Sequence, residues 1–316
     1  MNNSYVAASE LPIKLLCDES IHKDLKNNHI RPIHIQINPT NYCPFNCSFC
    51  SCADRNKELE LSFNKIISIT EKFVKLGAKA FTISGGGEPL TYPYISEYID
   101  YLHCMNIKIG LVTNGILLKD RPFLSKLTWC RISLSDEHDL SDLSLEKIIQ
   151  PHYTDWAFSY VMTDKFVNEN FAKAVEFGNK YNLTHIRLVE NILDKSVYDM
   201  RPIKQFLKDR GINDDIVIYQ GRKNFTRGHK KCLSSLLRPA VDADGNVFPC
   251  CGVQYRKRGS VLDMNLGDSM GIDIDDIWAN QKYFDGSSCD ICYYSDYNDI
   301  LNMMMDSDDI KHREFV

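Results

Sequence analysis

The stretch Asn41-Tyr42-Cys43-Pro44-Phe45-Asn46-Cys47-Ser48-Phe49-Cys50 restricts this chain more than any other feature. It carries three cysteines at the spacing C-x3-C-x2-C. Three thiolates in one loop can hold three irons of a cubane [4Fe–4S] cluster and leave the fourth iron open to chelate a small molecule. A structural zinc loop would call for a fourth Cys or His, usually as paired C-x2-C elements. For the triplet alone both readings stay open, as does a chance grouping.

Composition narrows the setting. A chain of 316 residues has room for one large domain and a smaller appendage. Its net charge of -5 gives no argument for bulk nucleic-acid binding, so nucleic acid is not expected as a partner. No apolar run is long enough to cross a bilayer, and Met1-Asn2-Asn3-Ser4-Tyr5 lacks the basic start and apolar core of a signal peptide. A cytoplasmic protein without a membrane partner is the simplest reading. In a reducing compartment twelve cysteines point to metal or redox chemistry rather than disulfides. Cys104 and Cys130 lie in apolar surroundings and are expected in the core.

Residues 1–32 carry no strong period and read as an N-terminal extension with a short helix. From Pro32 onward strands and helices alternate. Ile33 to Ile37 alternates with period two and runs into the cysteine loop. Ser62 caps a helical stripe from Phe63 that stops at Gly77. Further strands are expected at 80–83, 107–112, 131–134, 156–162 and 185–189. The helices between them lie near 95–102, 121–128, 145–149, 167–181 and 202–207. Such alternation implies βαβ units and a parallel sheet, here an α/β partial (β/α)6 barrel over residues 33–220. Ligands of such sheets sit beyond the carboxyl ends of the strands, where the cysteine loop also lies.

Past Gly211 the character changes. Ile216 to Tyr219 reads as a strand, and Arg222 to Lys231 is a basic run. Ala240 to Phe248 reads as a hairpin with an Asp-Gly turn. Ile274, Ile277 and Trp278 suggest one helix. Residues 221–300 are expected to form a small second domain, and 301–316 an acidic tail.

Three more segments fall at strand ends. Ser84-Gly85-Gly86-Gly87-Glu88-Pro89 follows the second strand, and its glycines and carboxylate could receive an ammonium group. Thr113-Asn114-Gly115 ends the third strand and Ser133-Leu134-Ser135-Asp136 the fourth, each able to hydrogen-bond a ribose. Singly each is also ordinary turn chemistry. In this order, with Phe49 before the last cysteine, residues 33–190 resemble the core of the radical SAM superfamily.

The resemblance implies that Cys43, Cys47 and Cys50 bind the cluster and S-adenosylmethionine (SAM) chelates its open iron. Gly86, Gly87 and Glu88 would hold the SAM amino group, Asn114 would line the cofactor site, and Ser133 or Ser135 would face the ribose. Arg187 and Glu190, at the end of the sixth strand, are further candidates for SAM contact.

Cys232, Gly245, Cys250 and then Cys289-Asp290-Ile291-Cys292 supply four more thiols. Four thiolates close the ligation of a cubane cluster, although by spacing alone a four-cysteine zinc site is slightly favoured. Beside a radical SAM core, the pattern resembles the SPASM/twitch extension, which implies one auxiliary [4Fe–4S] cluster. Cys251 is left over. Its resemblance to the Pro-Cys-Cys of radical SAM epimerases makes it a candidate hydrogen-atom donor, alongside the readings as an inert thiol or as a ligand in place of Cys250. Cys52 is a second candidate donor.

The activity so implied is reduction of the first cluster by a flavodoxin or ferredoxin and cleavage of SAM to a 5′-deoxyadenosyl radical. That radical abstracts hydrogen from a substrate carbon. A ribosomally made peptide, epimerised or cross-linked, is the first substrate class, although residues 1–32 leave no room for a separate leader-binding domain. A sugar or aminocyclitol is the second class. An RNA- or nucleotide-modifying enzyme is the third, and an iron–sulfur carrier or redox sensor is the non-enzymatic alternative.

Overall fold

The computed structural model describes residues 13–137, 140–149, 154–191, 193–194, 198–221, 227–252, 266–268, 272–289, 292 and 294–306. Two helices, α1 (Ile13–Leu16) and α2 (Glu19–Lys26), precede the sheet. The missing period of this segment is a matter of length. A helix of eight residues shows only Ile21 and Leu25, one turn apart, on its buried side. Asp18 caps α2, its side chain accepting from Ser20 N at 2.9 Å.

Six strands follow in spatial order, all parallel: β1 (His34–Ile37), β2 (Ala80–Ile83), β3 (Lys108–Thr113), β4 (Trp129–Leu134), β5 (Asp155–Met162) and β6 (His185–Glu190). A seventh, β7 (Val217–Gln220), continues the sheet beyond β6. The connections include α3 (Phe63–Leu76), α4 (Ile95–Cys104), α5 (Leu145–Ile148), α6 (Asn168–Lys180) and α7 (Arg201–Asp209). The turn expected near 121–128 is a 3-10 helix at Pro122–Lys126. The strand at one margin is never paired with the strand at the other, so the barrel stays open. The expected partial α/β barrel is therefore the observed architecture.

Among the described residues beyond 230, the strands join the same sheet. The hairpin β8 (Ala240–Val241) and β9 (Asn246–Phe248) turns at Asp244-Gly245, where Gly245 takes φ +91°. β8 pairs parallel with β1, and the short β10 (Gly267–Asp268) finishes the margin. The helices α8 (Ser234–Leu237), α9 (Ile272–Ala279) and α10 (Ser295–Met305) complete the chain. Trp278 anchors α9. Its Nε1 donates to Leu236 O at 3.0 Å and its ring meets Phe73 of α3 edge-on at 5.5 Å.

Two sequence expectations are corrected. The expected tail begins inside α10, because Leu301 and Met305 are buried and spaced one helical turn apart despite the aspartates around them. Residues 307–316 lie outside the described residues. Cys104 is exposed at the end of α4, where its helical phase turns it outward, whereas Cys130 is fully buried in β4 as expected. The first half of the basic run, residues 222–226, also lies outside the described residues, as does Pro151, the expected end of α5.

Candidate radical SAM site

The cysteine loop leaves β1 and is clamped from three sides. Gly87 N donates to Thr40 O at 3.0 Å and Glu88 N to Tyr42 O at 2.7 Å. A side chain on Gly86 would run into Asn41 Oδ1 at 1.9 Å, and one on Gly87 into Tyr42 O at 2.0 Å. Gly86 thus makes room for the Asn41 side chain and Gly87 for the cysteine loop's backbone, in addition to the contact with a ligand expected of them.

Glu88 is 2% exposed. Its Oε1 accepts from Thr113 Oγ1 at 2.6 Å and Leu90 N at 3.0 Å, and its Oε2 accepts from Asn114 N at 2.7 Å. Burial raises its carboxyl pKa, while these donors oppose the rise. A carboxylate offers about four acceptor positions, so one is left, on Oε2. Thr113-Asn114-Gly115 serves here to hold Glu88. The Asn114 side chain reaches on to Cys43, with Nδ2 3.9 Å from Sγ.

Cys43, Cys47 and Cys50 are all half-buried, as is Phe49. Cys50 N donates to Cys47 O at 3.1 Å, which closes the turn between them. Burial drives the Cys47 thiol up to about 12, and Cys50, Cys43 and Glu137 add to the effect. Cys43 is raised in the same way, by burial and then by Glu88 and Cys50. Three thiols this close oppose one another's ionisation, and a cationic iron group at their centre would offset that opposition. The donor set therefore fits a cluster. Cys52 lies beneath the loop, its Sγ 3.8 Å from Gly85 O, and its thiol interacts with Cys50.

Glu137 and Arg55 were not legible as site residues. Glu137 lies two positions beyond Ser135, whose Oγ accepts from Glu137 N at 3.1 Å. Its carboxylate accepts from Ser48 N at 3.0 Å and from Ser48 Oγ, tying β4 to the cysteine loop. Arg55 Nη1 pairs with Asp242 Oδ1 at 2.7 Å, joining the loop to the C-terminal hairpin. Asn38 Nδ2 donates to the same oxygen at 3.2 Å.

Ser133 is half-buried on the inner face of β4, and Ser135 is buried just beyond that strand. Arg187 shares the inner face, with Nε donating to Gln220 Oε1 at 2.9 Å. Glu190 stands on the opposite face of β6, accepting from Tyr198 N at 2.9 Å.

The second cysteine group converges from separate segments. Cys232, Cys250, Cys289 and Cys292 line one small cavity, closed partly by Tyr294 and Asn298. Asn298 Nδ2 lies 3.8 Å from Cys232 Sγ, and Gly252 N donates to Cys250 Sγ at 3.3 Å. Burial pushes the Cys232 thiol up to about 12, helped by Cys292 and Cys289. Among the described residues no three Cys, His, Asp or Glu are gathered as a single bound ion would need. Cys251 is not part of that lining, and its Sγ lies 3.1 Å from Tyr294 Oη.

A family model for the radical SAM superfamily matches residues 37–156. The chain is similar to a GTP 3′,8-cyclase of Helicobacter pylori, at 23% identity over 87% of this chain and 85% of that protein. It is also similar to the radical SAM cyclopropyl synthase TigE of Paramaledivibacter caminithermalis, at 24% identity over 81% of this chain and 71% of that protein. Among solved structures it resembles SuiB of Streptococcus suis bound to S-adenosylmethionine. That match has a TM-score of 0.63 and 17% identity over 92% of this chain and 80% of the other. SuiB bound to its precursor peptide SuiA matches with a TM-score of 0.62 and 18% identity over 88% and 71%. Among the described residues no helix is long and apolar enough to cross a membrane. Residues 37–156, which hold the cysteine loop and the strand-end motifs as far as Ser135, thus match the radical SAM superfamily.

Proposed function

We propose that the chain abstracts hydrogen from a carbon of its substrate, with Cys43, Cys47 and Cys50 holding a [4Fe–4S] cluster on which S-adenosylmethionine binds. When bound, that pair supplies a 5′-deoxyadenosyl radical after one-electron reduction. The observation that carries the reading is Glu88. A buried carboxylate with three donors and one acceptor position left is suited to one ammonium N–H, beside the three thiols. The strand-end residues then orient the cofactor, with Asn114 near Cys43 and Ser133 on the inner face. The inner face of the partial barrel would hold the substrate away from bulk water, so that one C–H bond is presented.

Cys232, Cys250, Cys289 and Cys292 would hold one auxiliary [4Fe–4S] cluster in their cavity, for electron transfer or for shaping the pocket. Cys251 remains a candidate hydrogen-atom donor outside that lining. A flavodoxin or ferredoxin of the cytoplasm would be the reductant. Two substrate classes have support. Likeness to SuiB bound to its precursor peptide favours a ribosomally made peptide, and likeness to GTP 3′,8-cyclases favours a nucleotide. Anaerobic reconstitution with SAM and dithionite tests the activity: 5′-deoxyadenosine should form with the wild type and not with Cys43→Ala. Its absence from the wild type would remove the basis of the proposal.

A further inference from the structure

Among the thiols of the C-terminal cavity, Cys250 and Cys232 each meet an N–H group, and the two donors differ in kind. Gly252 N donates to Cys250 Sγ at 3.3 Å, a backbone group that any residue except proline would supply. Cys232 Sγ is met by a side chain, Asn298 Nδ2 at 3.8 Å, from near the start of α10. The contact to Cys232 therefore depends on which residue stands at position 298.

Asn298 is 0% exposed, and its amide is held in one orientation. Oδ1 accepts from Ser234 N at 3.0 Å and from Ser234 Oγ at 3.1 Å. Ser234 opens α8, where a first-turn N–H has no partner within its own helix. A backbone N–H can only donate, so the atom facing it is the oxygen and the amide cannot be turned over. One N–H of Nδ2 goes to Tyr294 O at 3.0 Å, which leaves the other for Cys232. Asn302, one turn further along α10, gives an internal comparison. Its Nδ2 donates to Asn298 O at 2.7 Å and to Lys231 O at 3.4 Å, both backbone carbonyls.

We propose that Asn298 is a positioning residue for the auxiliary centre, whose N–H group holds the Cys232 sulfur and raises the reduction potential of the iron–sulfur group bound there. The inference rests on the auxiliary-cluster reading. A sulfur that binds iron is a thiolate and acts only as an acceptor. Reduction adds negative charge to the cluster and its sulfurs, so a fixed donor stabilises the reduced form more than the oxidised one. With the amide fully buried, water does not compete for this contact, and the low local polarity strengthens it.

The test is a potentiometric titration of the reconstituted holoenzyme, read by electron paramagnetic resonance on the signal that SAM leaves unchanged, with iron content measured beside it. Asn298→Leu, close in size but without a donor, should make the auxiliary centre about tenfold harder to reduce, a shift of about 59 mV to lower potential for one electron. Asn298→Ser is the second variant. Its hydroxyl is one bond too short to replace the amide nitrogen, and it should shift the potential the same way. Asn302→Leu should leave the potential in place, even where it lowers the melting temperature as much. The proposal is overturned if an Asn298 variant that retains the auxiliary iron keeps the wild-type potential, or if Asn302→Leu shifts it equally. Loss of that iron from both Asn298 variants would also overturn it, since Asn298 would then support the fold alone. A wild type with only about four irons, and no signal indifferent to SAM, would instead fail the auxiliary-cluster reading, and this proposal with it.

Discussion

The two cysteine groups are assembled in opposite ways. Cys43, Cys47 and Cys50 lie within one loop whose shape is set by contacts beneath it, from Gly86, Gly87 and Glu88, and by Glu137 to one side. Cys232, Cys250, Cys289 and Cys292 come together only because β8–β9 and α10 pack around a shared cavity. The first group is a local feature of one loop. The second group draws on separate segments, so a metal bound there would be coupled to folding of the C-terminal part. A ligand set assembled from distant segments depends on tertiary structure in a way that a single loop does not.

The largest expected effect separates the groups directly. Cys43→Ala should lower SAM cleavage by about 1000-fold or more, since a lost ligand undoes the chemistry, while thermal stability moves by only about 1 kcal/mol or less. Cys232→Ala should instead lower the melting temperature measurably and make residues near α10 more open to proteolysis. If Cys43→Ala proves as destabilising as Cys232→Ala, the contrast fails.

Glu88→Gln comes next. An amide cannot accept at both positions facing Thr113 and Asn114, so a buried donor loses its partner at about 1–3 kcal/mol. SAM affinity, measured on the reconstituted protein, should fall about 10- to 100-fold, and unaltered affinity would show that Glu88 serves the fold alone.

The buried His185 of β6 gives a pH effect. Burial lowers its pKa from 6.5 to about 3 in the folded state, so the unfolded chain takes up the proton first as pH falls. Stability from His185 is therefore intact above about pH 6.5 and declines toward pH 3, by about 2 kcal/mol at pH 5. Melting of wild type and His185→Asn at pH 7 and pH 5 should show a smaller acid loss in the variant.

The smallest effect concerns the link between the two regions. The Arg55–Asp242 pair is largely shielded from solvent, and a double-mutant cycle on stability with Arg55→Gln and Asp242→Asn should give a coupling of about 1 kcal/mol. A coupling near zero would mean that the hairpin and the cysteine loop are independent.

Much of this was legible before the structure. The period-two strands, the stripe after Ser62 and the strand-end glycines placed β1 to β6 and the first cysteine group, because short-range spacing encodes all of them. The rest depends on contacts far apart in sequence. Nothing around Asp242 announces that it meets Arg55, 187 residues away. The joining of β8 to β1 is equally remote. Glu137 sat next to a noted motif and was passed over because exposed glutamates are common. The helix α10 was hidden because only Leu301 and Met305 among its apolar residues are buried, beside Asp296 and Asp299. Nor does the spacing of Gly86 and Gly87 announce that they pack directly on Asn41 and Tyr42.

The central claim is that the loop and the cavity hold two independent clusters, of which only the first meets SAM. The direct measurement is electron paramagnetic resonance of the reduced, reconstituted protein with and without SAM, alongside an iron count. The wild type should hold about eight irons and show a signal that SAM alters. The triple variant Cys43→Ala, Cys47→Ala, Cys50→Ala should keep about four irons and a signal that SAM leaves unchanged. A triple variant with no iron, or one whose remaining signal still responds to SAM, would contradict the account.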